Sequence, residues 1–147
     1  MTVAGAEGFA INIEVFGEER AAEIIRRKRR HGLGLLSASI EHAVRLTGGK
    51  GRVRSLVVAG LEPIEVTLAA VKFIADLGAD PVISPFRPAP GTKLSKQPPP
   101  SIEFLERLYL EAHAITERIG VKLGPRCIPC QHNTLTFPDH SGAYYFS

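Results

Sequence analysis

The sequence predicts an α/β protein, a parallel partial (β/α) barrel of about half the usual size, and three observations predict it. Leu56-Val57-Val58-Ala59, entered from Ser55, is a short apolar run with the composition of a strand buried on both faces of a parallel sheet. It turns on Gly60 and reaches Glu62-Pro63 just before a helix. Both residues therefore lie at the carboxyl end of the strand, where parallel sheets keep their ligands. A second strand, Pro81 to Phe86, follows that helix and completes a strand–helix–strand crossover. Length supplies the third observation. A complete barrel takes about 250 residues, or roughly 30 per unit, so 147 residues hold roughly half of one. A half barrel leaves sheet edges open, and natural proteins cover or blunt such edges.

Composition sets the frame. A chain of 147 residues, 44% hydrophobic and 22% charged, suits one globular core and is too short for two. One domain is expected over residues 1–138, with a tail over 139–147. A net charge of +3 does not by itself imply nucleic acid. No apolar run approaches the roughly 18 residues of a membrane span, and Met1 to Ala10 lacks the basic and apolar regions of a signal peptide. Two cysteines in one CxxC argue for a reducing compartment and against a disulfide scaffold. A cytoplasmic protein, with no membrane partner, is expected.

Taken in order, Phe9 to Phe16 reads as a strand in which Asn12 and Glu14 alternate with Ile11, Ile13 and Val15. The two polar side chains then share one face, either as the wet face of an edge strand or as hydrogen-bonding groups aimed into a cavity. Gly17 to Arg30 reads as a helix with Glu18, Glu19 and Glu23 early and the basic run Arg26 to Arg30 late, which suits the helix dipole. No aromatic residues are interleaved with the arginines, so the run reads as a solvated helix end and not a nucleic-acid patch. Gly32-Leu33-Gly34 is expected to break the chain, with Ser37 capping a second helix through Leu46. Thr47 to Gly51 precedes a strand and is a linker, since a phosphate loop follows one.

Ile64, Leu68, Val71 and Ala75 then form a helical stripe that stops at Gly78. Arg87 to Pro100 is a proline-dense loop carrying Arg87, Gly91-Thr92 and Lys93, longer than compact domains use unless it binds something or is disordered. Ser101 caps the next helix, where the expected stripe is Ile102, Leu105, Tyr109 or Ala112, Ile115 and Ile119, and Gly120 ends it. Strands are expected over residues 121–123 and 134–137. Cys127 and Cys130, with His132 and His140 nearby, leave four readings: plain thiols in a turn, a zinc site, a redox dithiol, or part of an auxiliary iron–sulfur cluster.

Asn12-Ile13-Glu14, Val58-Ala59-Gly60-Leu61-Glu62-Pro63 and Ser84 to Leu94 with its Pro90-Gly91-Thr92 together resemble the C-terminal half of radical S-adenosylmethionine enzymes, in the branch of biotin synthase. The likeness runs from about Gly8 to Leu123. It implies about half of a TIM-like radical SAM barrel with S-adenosylmethionine across the strand carboxyl ends. Asn12 and Glu14 would serve the cofactor's ribose and amino-acid moieties or the substrate. Val58, Gly60 and Glu62 would lie against the adenine, and Arg87 would flank the methionine carboxylate or the substrate. Biotin synthase places its glutamate three residues after the glycine, whereas Glu62 is two after Gly60. The family also holds a [4Fe–4S] cluster on a CxxxCxxC motif, whose ligands this chain lacks.

Two function classes follow. In one, the chain is the C-terminal part of an enzyme that cleaves S-adenosylmethionine reductively and abstracts hydrogen from a small-molecule substrate, with its N-terminal half supplied in cis or in trans. In the other, it is a non-catalytic α/β module that binds zinc or a small ligand through the Cys127/Cys130 region.

Overall fold

A computed structural model describes residues 5–30, 32–49, 51–124 and 133–136. It is a mixed α/β arrangement around a three-stranded parallel sheet in the order β1 (Phe9–Ala10), β2 (Val53–Ala59), β3 (Asp80–Pro85). Between β1 and β2 come α1 (Glu18–Ile24), α2 (Arg26–Arg29) and α3 (Gly32–Thr47). The helix α4 (Ile64–Asp76) crosses from β2 to β3, and α5 (Ile102–Ile119) follows.

The strand β2 buries one face, while β3 is buried on both over Asp80 to Ile83. Along β2, Val53, Ser55, Val57 and Ala59 are buried, while Arg54 is exposed and Leu56 and Val58 are half-buried. That period of two is what a strand covered on one side requires. The expectation that β2 is buried on both faces is therefore corrected. Register sets Val57 beside Ile83 and Ser55 beside Pro81, so the core continues across β3. It is completed by Ile40 and Ala43 of α3, Ile64, Ala70, Val71 and Ile74 of α4, and Leu108 and Ala112 of α5.

Several boundaries differ from the sequence reading. The stretch 10–16 is not one continuous strand: β1 ends at Ala10, and Glu14 makes only an isolated parallel bridge to Val57. The helix expected over 17–30 is divided at Ile25, whose φ of −119° and ψ of 37° leave the helical region. Gly32-Leu33-Gly34 opens α3 instead of breaking the chain. Ser37 lies inside α3, where its hydroxyl donates to the Gly34 carbonyl at 3.0 Å.

Other boundaries agree. Leu77 and Gly78 end α4, with Gly78 at φ 81°. The Ser101 hydroxyl accepts the Phe104 N–H at 3.2 Å and Gly120 closes α5 at φ 86°. The stripe of α5 is rotated, however. Leu108, Ala112 and Thr116 are buried, whereas Ile102 is 76% exposed. Residues 121–123 form no strand; instead Gly124 N–H donates to the Pro81 carbonyl and Leu135 N–H to the Ile83 carbonyl. Irregular backbone thereby satisfies two acceptors on the outer edge of β3, which is one way to blunt an edge.

Candidate functional site

At the carboxyl end of β1 the ladder slips by one residue. Phe9 stands opposite Val53 and Ala10 opposite Arg54, but Glu14 stands opposite Val57. Residues 11–13 thus face only Ser55 and Leu56, so β1 carries one extra residue there, as in a β-bulge. The broken ladder is repaired by side chains. Asn12 Oδ1 accepts the Leu56 N–H at 3.3 Å, and Ser55 Oγ, fully buried, accepts the Ile13 N–H at 3.2 Å. Buried backbone donors left unpaired would cost about 1–3 kcal/mol each.

The slip ends in a tight turn. Val15 N–H donates to the Ile13 carbonyl at 2.9 Å, which closes a three-residue turn centred on Glu14. Glu14 has φ 68°, and among the described residues no other non-glycine has positive φ. Turns of this type are rare and strained, and such strain costs on the order of 1–3 kcal/mol and gathers at functional sites. Three contacts hold Glu14 in place. Its backbone bonds Leu56 and Val58 at 2.7 and 2.8 Å, and its carboxylate pairs with Lys28 Nζ at 2.8 Å.

Glu62 is absorbed into the scaffold. Its two carboxylate oxygens accept the Phe16 and Gly17 N–H groups, each at 2.7 Å. A carboxylate on exposed amides at the start of α1 is favoured by both charge-assisted bonding and the helix dipole. Gly60 is likewise committed. At φ 91°, a Cβ there would meet the Pro100 ring at 2.9 Å, so the close approach that needs glycine is to proline. The Gly60 carbonyl accepts Gln97 Nε2 at 2.7 Å, while Arg20 joins the Leu61 carbonyl to Gln97 Oε1. These contacts fold the end of the 87–100 loop back over the β2 terminus.

The first part of that loop encloses a cavity of about 500 Å³ against α1, lined in part by Arg87, Lys93, Phe86 and Leu94. Arg87 lies at its rim, with Nη1 3.4 Å from Asn133 Oδ1.

The predicted residues thus divide. Asn12, Glu14 and Val58 meet at the slipped junction of β1 and β2. Gly60 and Glu62 serve internal contacts beside it, and Arg87 belongs to the cavity at the end of β3. Cys127, Cys130, His132 and His140 lie outside the described residues. Among the described residues, no group of three or more histidine, cysteine or carboxylate side chains is placed to hold a metal, and no helix is long and apolar enough to cross a membrane.

Sequence reasoning missed Lys28, Ser55 and Gln97. Lys28 was hidden in a basic run, and Gln97 in a loop where no periodicity marks a contact. Ser55 alone carried a signal, as a polar residue at the buried phase of an apolar strand. No protein-family model matches the chain, and neither the curated proteins nor the solved structures include a match.

Proposed function

We propose that the chain is the C-terminal part of a radical S-adenosylmethionine enzyme, inactive alone, whose cofactor lies across the carboxyl ends of β1 and β2. The observation that carries the reading is the strained, side-chain-repaired junction at Asn12 and Glu14, which falls within the segments that resemble the family. A three-stranded parallel sheet, with Leu56 and Val58 of β2 half-buried on the face opposite Val57 and Ala59, accords with it. The half-exposed Val58 offers an apolar surface for a purine. The Asn12 amide nitrogen has no hydrogen bond among the described residues and is available to a hydroxyl or carboxylate acceptor.

The fit is partial. Glu62 and Gly60 are held by backbone and by Pro100 and are not assigned to the cofactor. A [4Fe–4S] cluster, which would supply the electron for cleavage, needs three thiolates in this family, and the chain has two cysteines. The cluster is therefore assigned to a separate segment, in cis or in trans, in a reducing, cytoplasmic compartment. What this chain's own residues do is narrower: Val58 shields one face from water, and Asn12 and Glu14 orient polar groups.

The test is product formation. Reconstituted anaerobically with iron and sulfide, the chain alone is expected to make no 5′-deoxyadenosine above a no-protein control. Joined to a CxxxCxxC-bearing segment, in cis or in trans, it is expected to make it. Product from the lone chain, or none from the joined protein with its cluster loaded, would overturn the reading.

The alternative class, a non-catalytic α/β module binding zinc or a small ligand, is favoured by one observation. Two of the family-like positions, Gly60 and Glu62, are already used to hold the fold together.

A further inference from the structure

We infer that the outer face of α3, together with the free edge of β1, is a self-association surface that docks a second copy of this chain about a twofold axis. This goes beyond the cofactor reading and does not rest on it. Leu35, Ser39, His42 and Leu46 follow one another at intervals of four, three and four residues, which sets them along one face of the helix. Leu35 is 53% exposed and Leu46 49%, with Ala38 and His42 exposed between them. Phe9 of β1 and the adjoining Ile11 line a groove with Ala38, His42 and Leu46. The strand β1 is an outer strand of the sheet. The Phe9 and Ile11 N–H groups donate to the Arg52 and Arg54 carbonyls, so the exposed Ala10 between them turns its N–H away from β2.

The order of these residues selects the partner. Leu35 stands as far before the midpoint between Ile40 and Glu41 as Leu46 stands after it, and Ser39 and His42 are placed likewise. Two such helices packed antiparallel set each Leu35 against Leu46 of the second copy, and each Ser39 against His42 of the second copy. A twofold contact requires this reciprocity, since one patch is used twice. The Ser39 hydroxyl donates to the Leu35 carbonyl at 2.8 Å, which leaves its lone pairs to accept an imidazole N–H. The axis that reverses α3 also runs the two β1 edges antiparallel, where their outward backbone groups can pair. Charge does not oppose the contact. Arg45 pairs with Glu41 at 3.7 Å within one chain, so this flank of the face carries no net charge to repel its copy.

Area sets the strength. One face of α3, a helix of 16 residues, measures about 24 Å by 10 Å. That is well short of the roughly 800 Å² per partner of stable interfaces. The β1 edge adds to it, and a reversible dimer that dissociates on dilution is expected, not an obligate one.

The test measures the mass of the full chain by sedimentation across a concentration series, with no S-adenosylmethionine present. A monomer–dimer equilibrium is expected. Leu35→Glu and Leu46→Lys, each at an exposed side chain, should each raise the dimer dissociation constant at least about tenfold, while amide shifts away from α3 and β1 are kept. Both changes in one chain should weaken the dimer less than either alone, because the new carboxylate of each copy then meets the new ammonium of the other. Within one chain the two positions lie about 16 Å apart along the helix and cannot pair. A non-specific apolar contact would instead be weakened further by the double change. A chain that stays monomeric throughout, a dimer that the single variants leave intact, or a double variant weaker than both singles overturns the inference. So does a face that becomes protected only once a CxxxCxxC-bearing segment is joined, which assigns it to that segment. A dimer that fails to bind S-adenosylmethionine counts against the cofactor reading alone.

Discussion

The carboxylate of Glu62 and the missing side chain of Gly17 are two halves of one device, and a double-mutant cycle separates it from a ligand-binding role. Glu62 accepts two backbone N–H groups at 2.7 Å each. Bonds to a charged group are worth about 1.5–3 kcal/mol apiece. With Glu62 only half-buried, Glu62→Ala should cost about 3 kcal/mol in all, near the low end of that range. For a chain of this length that is about 6–12 °C in Tm.

Gly17→Ala probes the same contact from the other side. Gly17 has φ −63° and ψ 132°, a conformation alanine adopts freely, so backbone strain plays no part. The new Cβ would instead lie 2.7 Å from Glu62 Oε1, closer than real Cβ contacts allow, and the carboxylate must turn away. The expected cost is about 1–2 kcal/mol, one charged hydrogen bond. In the Glu62→Ala background the clash is gone. There Gly17→Ala should fall within about 0.5 kcal/mol of neutral, alanine's lower unfolded-state entropy offsetting its poorer fit at a helix N-cap. Urea unfolding of the four proteins gives a coupling of at least about 1 kcal/mol if the device is as described. Equal costs of Gly17→Ala in both backgrounds would refute it.

Three further outcomes are expected. Glu14→Ala and Glu14→Gly both lose the Lys28 ion pair, but only alanine keeps the penalty of φ 68°; the glycine variant should be more stable by about 1–2 kcal/mol in chemical denaturation. Gly60→Ala, at φ 91° and against Pro100, should cost about 2 kcal/mol or more and increase amide exchange around Gln97 and Pro100. The Glu103 carboxyl is held below its ordinary value, first by its own backbone N–H and then by Ser101. A depressed folded pKa contributes stability above the unfolded value and loses it as pH falls through the folded one, so α5 should fray from its N-terminus on acidification, seen as lower amide protection factors, taken against the intrinsic rate at each pH, at Glu103 and Phe104. Unchanged protection factors there down to full protonation would contradict this.

Much of the fold was legible because periodicity reports burial. The α4 stripe of Ile64, Val71 and Ala75 and the β2–α4–β3 crossover follow directly from spacing. What spacing could not report was contact between distant residues. Phe9 to Phe16 alternates like an uninterrupted strand, and nothing local reveals that Asn12 and Ser55 take over ladder hydrogen bonds or that Glu14 turns to φ 68°. Conversely, Gly60 and Glu62 were legible as special residues but not in their use. A glycine required by a ligand and one required by Pro100 look alike in sequence. The α5 stripe was misplaced by part of a turn because Leu108 and Thr116 compete with Ile102 and Ile119 for one face, and packing against α4 decides between them.

The central claim is that the β1–β2 carboxyl edge receives an adenosyl group, and a titration of the chain with S-adenosylmethionine, followed by amide chemical shifts, tests it most directly. The account predicts shifts concentrated at residues 12–15 and 58–61, abolished by Asn12→Ala with Glu14→Gly, and unchanged in the cavity variant Lys93→Gln. Absence of any shift at millimolar ligand, or shifts confined to the 86–94 loop, would contradict it.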